Sequence, residues 1–271
     1  MFGISRQSVY QSQSRNSIRE RQLKIVKTLV LEIRREMPRL GTRKLYYLLK
    51  EDLKNKEIKI GRDALFDYLK REHLLIKPKK NYTKTTYSKH WLRKHPNLLK
   101  EYKPTRPEQV FVSDITYIKS REKTYYLSLV TDAYSRKSVG YKLSDDMSAE
   151  NVVKAIKMAV KNRITNHHLI HHSDRGLQYC SNVYQKELKL NNIKPSMTDG
   201  YDCYQNALAE RINGILKQEF LIYKCNNGKE LNQLIKESIE IYNNKRPHLN
   251  LKMKTPNFIH NKKPEQINVL A

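Results

Sequence analysis

The sequence predicts an α/β protein in which a mixed five-stranded sheet follows an α-helical region. Apolar residues recur at helical spacing in the first third of the 271 residues. After residue 105, short runs of β-branched and aromatic residues replace this pattern, as is typical of strands. From the third run onward, strand-like and helix-like segments alternate, which favours a sheet with parallel strands joined by helices.

Residues 1–76 form the predicted helical region. The first helix is expected to end at Met37, because the residue before a proline disfavours the α conformation. Gly41 and Gly61 each precede a further short helix with apolar residues on one face. Short helices separated by tight turns favour a helix-turn-helix, and residues 1–10 are interpreted as the end of another such unit. A helical bundle with a solvated basic face is the alternative.

Residues 77–104 are predicted to be a basic linker. No acidic residue occurs between positions 77 and 100, and tyrosines and a tryptophan interleave with the cations. This composition suits a segment that follows phosphates and stacks on bases. A solvated charged linker is the alternative interpretation. The candidate DNA contacts here are Lys79, Lys80 and Lys84.

The overall charge indicates a polyanionic partner. The chain carries 53 Lys and Arg against 27 Asp and Glu, a formal net charge of +26. Such a field concentrates nucleic acid strongly. No apolar run reaches the ~20 residues of a membrane span, and the N-terminus lacks a signal-peptide core. We therefore predict a cytoplasmic protein with no membrane partner. Three scattered cysteines favour neither disulfides nor a cysteine zinc site.

Residues 105–225 are predicted to form the main α/β domain, which residues 226–271, a C-terminal helix and tail, complete. The order is three strands, helix, strand, helix, strand, helix, which is that of an RNase H-like domain. A short link at 132–136 indicates an antiparallel hairpin, and Ser148 is a candidate helix cap. The strands are predicted at 110–118, 124–131, 137–142, 169–173 and 193–197, and the helices near 148–160, 181–190, 206–220 and 228–244.

Three carboxylates stand out by their positions. Asp114 lies within a strand, where aspartate is disfavoured, and a charge there needs a partner or a cation. Asp174 ends a strand, and Glu210 lies in a helix that carries Lys217 on the same face. Each taken singly is more often a turn, cap or solvated residue. Together they suit Mg²⁺ or Mn²⁺, and two such ions would support an in-line phosphoryl displacement without a protein nucleophile.

The segments around these carboxylates resemble the three acidic motifs of the retroviral-integrase-like DDE transposases. They read VSDITYI at 112–118, HSDRGLQY at 172–179 and YQNALAE at 204–210. Thirty-five residues lie between Asp174 and Glu210, the spacing that names this group. Gln205 departs from the aspartate that is more usual in the family. DAYSR at 132–136, NNKRPH at 243–248 and the helices after Gly41 and Gly61 extend the resemblance over nearly the whole chain.

The resemblance is greatest to the second-reading-frame product of bacterial insertion sequences, and it implies a function. Asp114, Asp174 and Glu210 would be catalytic and would hold two Mg²⁺ or Mn²⁺ ions. The enzyme would cleave element ends and transfer strands by 3′-hydroxyl attack. Lys217, Arg43 and Arg62 would contact DNA. The implied partners are double-stranded DNA (terminal inverted repeats and target), further copies of the chain on that DNA, and an upstream reading-frame protein, with the assembly on the bacterial nucleoid.

Two alternatives remain open from the sequence. One is an RNase H-type nuclease on the same fold, and the other is a catalytically inactive DNA-binding regulator. The histidine pairs at 167–168 and 171–172 suggest zinc, but alternation along a strand places neighbouring residues on opposite faces. We interpret His172 as a neighbour of the acidic site, and Asp132 as a residue that holds the hairpin.

Overall fold

The computed structural model describes residues 6–77, 91–199 and 206–262. The chain divides into two compact units, Met1–Pro78 and Lys79–Ala271. Each unit has its own buried core. The predictions for Lys79, Lys80, Lys84 and Gln205 fall outside the described residues.

The N-terminal unit consists of three helices around an apolar core. They are α1 (Arg6–Glu36), α2 (Thr42–Asn55) and α3 (Arg62–Arg71). Their inward positions recur at helical spacing, so each helix buries one stripe. The side chains that are completely buried in this unit are Val26, Val30, Leu40, Leu45, Leu49, Leu65 and Leu69.

Polar contacts join the two ends of this unit. Lys27 Nζ lies 2.8 Å from Glu72 Oε2, just after α3. Arg34 donates from Nη1 to the carbonyl of Leu74 at 2.7 Å. Burial lowers the pKa of Arg34, although the guanidinium stays charged because its ordinary pKa is far above neutrality.

The interpretation of residues 1–10 as the end of a separate helical unit is wrong for the part that is described. Arg6 to Tyr10 are the first residues of α1. The physical reason is that no glycine or proline interrupts the chain from Arg6 to Glu36, so nothing breaks the backbone hydrogen bonding. The predicted end of the helix before Pro38 and the starts after Gly41 and Gly61 are confirmed.

The C-terminal unit contains a mixed five-stranded sheet in the order β3-β2-β1-β4-β5. β1, β2 and β3 pair antiparallel, whereas β4 pairs parallel to β1 and β5 parallel to β4. The strands are β1 (Val110–Lys119), β2 (Thr124–Asp132), β3 (Ser138–Ser144), β4 (Leu169–Ser173) and β5 (Ile193–Met197).

Helices cover both faces of this sheet. α4 (Ala149–Lys161), α5 (Leu177–Cys180) and α6 (Asn182–Leu190) share one apolar cluster with Phe111 of β1. On the other face, Val110, Val112 and Ala209 of α7 (Ala207–Ile215) form a second cluster. Alternation along β1 therefore separates the two cores. α8 (Gly228–Asn244) and α9 (Pro256–His260) complete the unit.

Two local details differ from the sequence predictions. Ser148 occupies the N-cap position of α4, but its side chain accepts no backbone N–H of that helix; it accepts instead from Asn151 Nδ2 at 2.9 Å. The helix predicted at 206–220 is not uniform, because α7 continues as a π-helical turn, Leu216–Phe220. Such turns occur frequently at functional sites.

Among the described residues, no helix is both long enough and apolar enough to cross a membrane.

Candidate active site

Asp114 lies in the middle of β1 and faces α7. Its Oδ1 accepts the N–H of Ile115 at 2.8 Å, and its Oδ2 accepts Asn213 Nδ2 at 2.8 Å. Asn213 is buried in α7. A carboxylate on a sheet face under a helix is poorly hydrated, so it depends on such neighbours for stabilisation.

Asp174 follows β4, the parallel neighbour of β1. Val112 pairs with His172 across these strands, and each aspartate lies two residues beyond its member of that pair. Adjacent strands are about 4.8 Å apart, so the register brings the two aspartates close to each other. Asp174 Oδ1 accepts the N–H of Gly176 at 3.0 Å, which forms the turn after the strand.

Glu210 reaches the same region from the first turn of α7. It is exposed, and Asn213 lies three residues later on the same helix face. The start of α7 is fixed to the sheet because Asn206 Nδ2 donates to the carbonyl of Ser113 at 3.0 Å. α7 therefore carries one acidic group and the amide that contacts Asp114.

The three carboxylates influence one another electrostatically. Burial raises the pKa of Asp114 to about 7, the charge of Asp174 and, more weakly, that of Glu210 add to the rise, and the hydrogen bond from Asn213 opposes it. Burial and the charge of Asp174 also raise the pKa of Glu210. Mutual repulsion of this kind is typical of sites that bind cations or move protons.

Within the described residues, however, no three Asp, Glu, His or Cys side chains lie close enough together to hold one metal ion. The charges interact through space, but the side chains as placed do not form a three-ligand cluster. Asp114 and Asp174 belong to adjacent strands, whereas Glu210 projects from the covering helix. The donor set consists of carboxylate oxygens, the ligand type that Mg²⁺ and Mn²⁺ prefer.

Lys217 is a cation whose charge interacts with Asp114. It lies in the π-helical turn and donates from Nζ to Thr116 Oγ1 at 3.2 Å. Thr116 is two residues after Asp114, on the same face of β1. Burial lowers the pKa of Lys217, while the charge of Asp114 opposes that change. The ammonium group is thus held beside the acidic residues.

The sequence reasoning missed the pair that braces this turn. Arg246 Nε and Nη2 donate to Glu219 Oε2 and Oε1 at 2.8 and 2.6 Å, a bidentate contact. Arg246 is 2% exposed, and Glu219 lies in the same turn as Lys217. Paired charges with this geometry are strongly directional. Arg246 belongs to the NNKRPH motif at 243–248, but nothing in the sequence indicates that Glu219 is its partner.

The two buried histidines of β4 contact hydroxyl groups. His171 Nε2 lies 2.7 Å from Ser113 Oγ and 2.9 Å from Tyr184 Oη. Burial, together with the neighbouring His172, lowers the pKa of His171 to about 3. His172 Nδ1 is 2.9 Å from Ser196 Oγ. The two rings belong to consecutive residues of β4 and bond to different partners.

The candidate DNA contacts of the N-terminal unit are exposed. Arg43 lies in the first turn of α2, and Arg62 begins α3. Arg62 Nε is 2.8 Å from Asp63 Oδ1, an exposed pair of the kind that contributes little to stability. Both side chains are therefore accessible to a partner.

Comparison with known proteins identifies the family. Residues 104–203 and 191–256 match two models that are both described as "Integrase core domain". A 31 kDa protein of insertion element IS600 from Shigella sonnei is 37% identical over 263 residues, 93% of each chain. The transposase InsF of insertion sequence IS3A from Escherichia coli (strain K12) is 36% identical over 152 residues, which cover 56% of this chain and 53% of that protein.

A solved structure supports the fold. A chain of the simian T-cell lymphotropic virus intasome, solved in complex with PP2A regulatory subunit B56 gamma, superposes with a TM-score of 0.53 at 16% identity, over 83% of this chain and 72% of that one. The mixed sheet with helices on both faces is thus the RNase H-like fold of integrase cores. With the near full-length relative, these matches show that the chain belongs to the insertion-sequence transposases with an integrase core, as a DDE-type enzyme.

Proposed function

We propose that Asp114, Asp174 and Glu210 are the catalytic carboxylates with which this transposase cleaves DNA at element ends and joins the freed ends to a target. The observation that carries the proposal is that burial, and then the charges of Asp174 and Glu210, raise the pKa of Asp114 to about 7. A cation that binds there relieves the repulsion.

The residues fit a divalent cation by their chemistry. Asp114 and Asp174 would hold it from adjacent strands, and Glu210 would complete the donor set from α7. Two Mg²⁺ or Mn²⁺ ions are proposed, because in-line displacement requires stabilisation of both the entering and the leaving oxygen. When bound, the cations neutralise the scissile phosphate and favour ionisation of the attacking oxygen.

The chain's own residues position the reactants. Asn213 orients the Asp114 carboxylate through its hydrogen bond of 2.8 Å. Lys217, held beside Thr116, would contact a phosphate of the DNA backbone. In the first step, water attacks the phosphorus at the element end and the bond to the 3′-oxygen breaks. In the second step, the resulting 3′-hydroxyl attacks a target phosphodiester and displaces its 3′-oxygen.

The proposed substrate is double-stranded DNA, both as terminal repeats and as target. The net charge of +26 supports this, and Arg43 and Arg62 would contact the duplex from the N-terminal unit. Because two ends are joined, we propose that several copies assemble on DNA, on the bacterial nucleoid. An upstream reading-frame protein is proposed as a further partner in end recognition.

A gel assay tests this proposal. A labelled duplex that carries the element's end is incubated with Mg²⁺ or Mn²⁺ and the wild type, Asp174→Asn or Asp145→Asn. Asp145 is a matched control because it is an exposed aspartate paired with Lys123. We expect at least a hundredfold loss of nicking and joining in Asp174→Asn and less than twofold in Asp145→Asn.

The products separate the alternatives. Cleavage without joining by the wild type would replace the proposal with a nuclease. Binding without cleavage in every protein, with the upstream protein also supplied, would replace it with an inactive regulator.

A further inference from the structure

A cavity of about 650 Å³ opens beside the acidic residues on the same face of the sheet. Val112 lines it and lies two residues before Asp114, on the same side of β1. Asn206, Ala207 and Leu208 form another wall, at the start of the helix that carries Glu210. The volume is within the range of small-molecule and nucleotide sites. The proposed mechanism does not use this cavity.

The lining combines an apolar floor with a cationic rim. Leu99, Val112 and Leu208 supply apolar surface, and Tyr102 and Tyr134 supply aromatic rings. Among the described residues that line the cavity, none is acidic, and four are cations: Lys103, Arg136, Lys252 and Lys262. Apolar and aromatic surface suits a nucleobase, and the cations suit a phosphate.

Arg136 is the most informative of these cations. Burial lowers its pKa, Tyr242 and Asp132 act in the opposite direction, and the charge of Arg211 adds a smaller lowering. The adjacent carboxylate, Asp132, already accepts the N–H of Glu108 at 2.7 Å, and the N–H and the hydroxyl of Ser135, each at 2.6 Å. Among the described residues, the Arg136 guanidinium makes no ion pair. A poorly hydrated cation without a counter-ion favours an anion in the cavity.

The backbone holds this arginine in place. Arg136 has a φ of 66°, in the left-handed region, and its N–H donates to the carbonyl of Asp132 at 2.9 Å. Its own carbonyl accepts the hydroxyl of Tyr242 at 2.8 Å. The hairpin turn is therefore fixed from both sides, and Arg136 is positioned by the fold.

We propose that this cavity binds one unpaired nucleotide of the DNA substrate, next to the nucleotide that is cleaved. Arg136 and the rim lysines contact its phosphate, and the base lies against the tyrosines and the apolar floor. The inference rests on the proposed function for its choice of substrate. Two residues of β1 span about 7 Å, and successive nucleotides rise roughly 3.4 Å along a strand. A strand at Asp114 therefore reaches the cavity within about two nucleotides.

The test places 2-aminopurine, whose fluorescence changes on stacking, at successive unpaired positions beside the cleavage point. Binding is measured without divalent cations, so the readout requires no cleavage. Arg136→Asn removes the cation with a residue that tolerates positive φ. Leu208→Trp fills the cavity and leaves the cations that line it unchanged. Lys161→Gln removes an exposed lysine of α4, on the opposite face of the sheet.

We expect a fluorescence change at one position, reduced at least fivefold by Arg136→Asn and by Leu208→Trp, while Lys161→Gln matches the wild type. Overall duplex affinity should fall less than threefold in both cavity variants, and thermal unfolding should show that they are folded. The proposal is overturned if the fluorescence changes at no particular position of the DNA, or if all three variants reduce the change equally. It is also overturned if the protein changes the fluorescence of the free 2-aminopurine deoxynucleotide but not that of the labelled DNA. A specific signal from a protein that never cleaves would retain this inference and refute the proposed function.

Discussion

Two groups of charged residues in the same domain have opposite electrostatics. The active-site carboxylates are Asp114, Asp174 and Glu210. The turn cluster consists of Glu108, Asp132 and His260, at the start of β1, the end of β2 and the end of α9. Burial and the neighbouring charges raise the pKa of Asp114 to about 7, whereas the pKa of Glu108 is held at about 2.

The two carboxylates of the turn cluster each accept several hydrogen bonds. Glu108 accepts the N–H of Ile164 at 2.9 Å, the N–H of Thr165 at 2.8 Å and the Thr165 hydroxyl at 2.6 Å. His260 Nε2 lies 3.5 Å from Glu108 Oε1. Burial alone would raise the pKa of Glu108, but the imidazole of His260 and these donors outweigh it. Burial lowers the pKa of His260, but Asp132 and Glu108 raise it by more, so that the pKa lies above its ordinary value.

The active-site carboxylates lack this compensation. Asp114 accepts two hydrogen bonds and is surrounded by two further negative charges. Burial acts to raise the pKa of Asp114, Glu210 and Glu108 alike, and the supply of donors and cations distinguishes the two groups. A carboxylate whose hydrogen-bond and ion-pair partners are present stabilises the fold. A carboxylate that is close to other negative charges favours the binding of a cation.

The largest expected effect comes from breaking the turn cluster. Glu108→Gln should reduce the free energy of unfolding by about 3–5 kcal/mol, because it removes one of the two carboxylates that face His260 and the charge to which the N–H groups of Ile164 and Thr165 donate. Chemical denaturation measures this loss. Asp145→Asn is the matched exposed control and should change little. A loss below about 1 kcal/mol would show that the cluster is not structural.

A second prediction concerns pH and metal. The pKa of Asp114 is raised, so without divalent cations its contribution to stability is lost as pH rises from about 4 to 7. The pKa of Glu108 is depressed, so its contribution is lost as pH falls from about 4.5 to 2. The pKa of His260 is raised above its ordinary value, so its contribution is lost as pH rises through that raised pKa. The metal-free protein should therefore be most stable at mildly acidic pH.

Mg²⁺ at 100 times its Kd should then add about 2.7 kcal/mol at pH 7.5. Thermal unfolding with and without Mg²⁺ measures this gain. In Asp114→Asn, the loss of stability between acidic and neutral pH and the stabilisation by Mg²⁺ should both largely disappear. Equal stabilisation of the variant and the wild type would place the ion elsewhere.

The smallest effects come from removing one neutral donor in each group. The Ser135 hydroxyl donates to Asp132 Oδ1 at 2.6 Å and lies 3.0 Å from His260 Nδ1. Ser135→Ala should lower the free energy of unfolding by about 1 kcal/mol and should leave cleavage per folded molecule unchanged. Denaturation and the gel assay together measure both quantities.

Asn213→Ala is the counterpart at the active site. Its loss removes the donor that lowers the pKa of Asp114, so the acid limb of the cleavage profile should move to higher pH. Metal affinity should fall about tenfold, with little change in stability. Asn213→Ala could instead be as destabilising as Ser135→Ala and leave the pH profile unchanged. That result would contradict the distinction between a stabilising turn cluster and a cation-binding active site.

Much of this arrangement could be predicted from the sequence. The strands and most helices begin and end within a few residues of their predicted bounds, because apolar periodicity and proline or glycine signals are local. The acidic residues were identified by motif and spacing, and strand order brings Asp114 and Asp174 together. The interpretation of Asp132 as the residue that holds the hairpin agrees with its bonds to Ser135.

The sequence by itself determined the α/β class, the family and the identity of the candidate carboxylates, since these depend on residue types along one stretch of chain. Only the tertiary structure decided which buried charges are satisfied. Glu108 meets His260, Glu219 meets Arg246, and Arg136 lines a cavity without an acidic partner among the described residues. Such pairings depend on groups far apart in sequence, and the pKa of each group depends on the dielectric and the donors that packing creates around it.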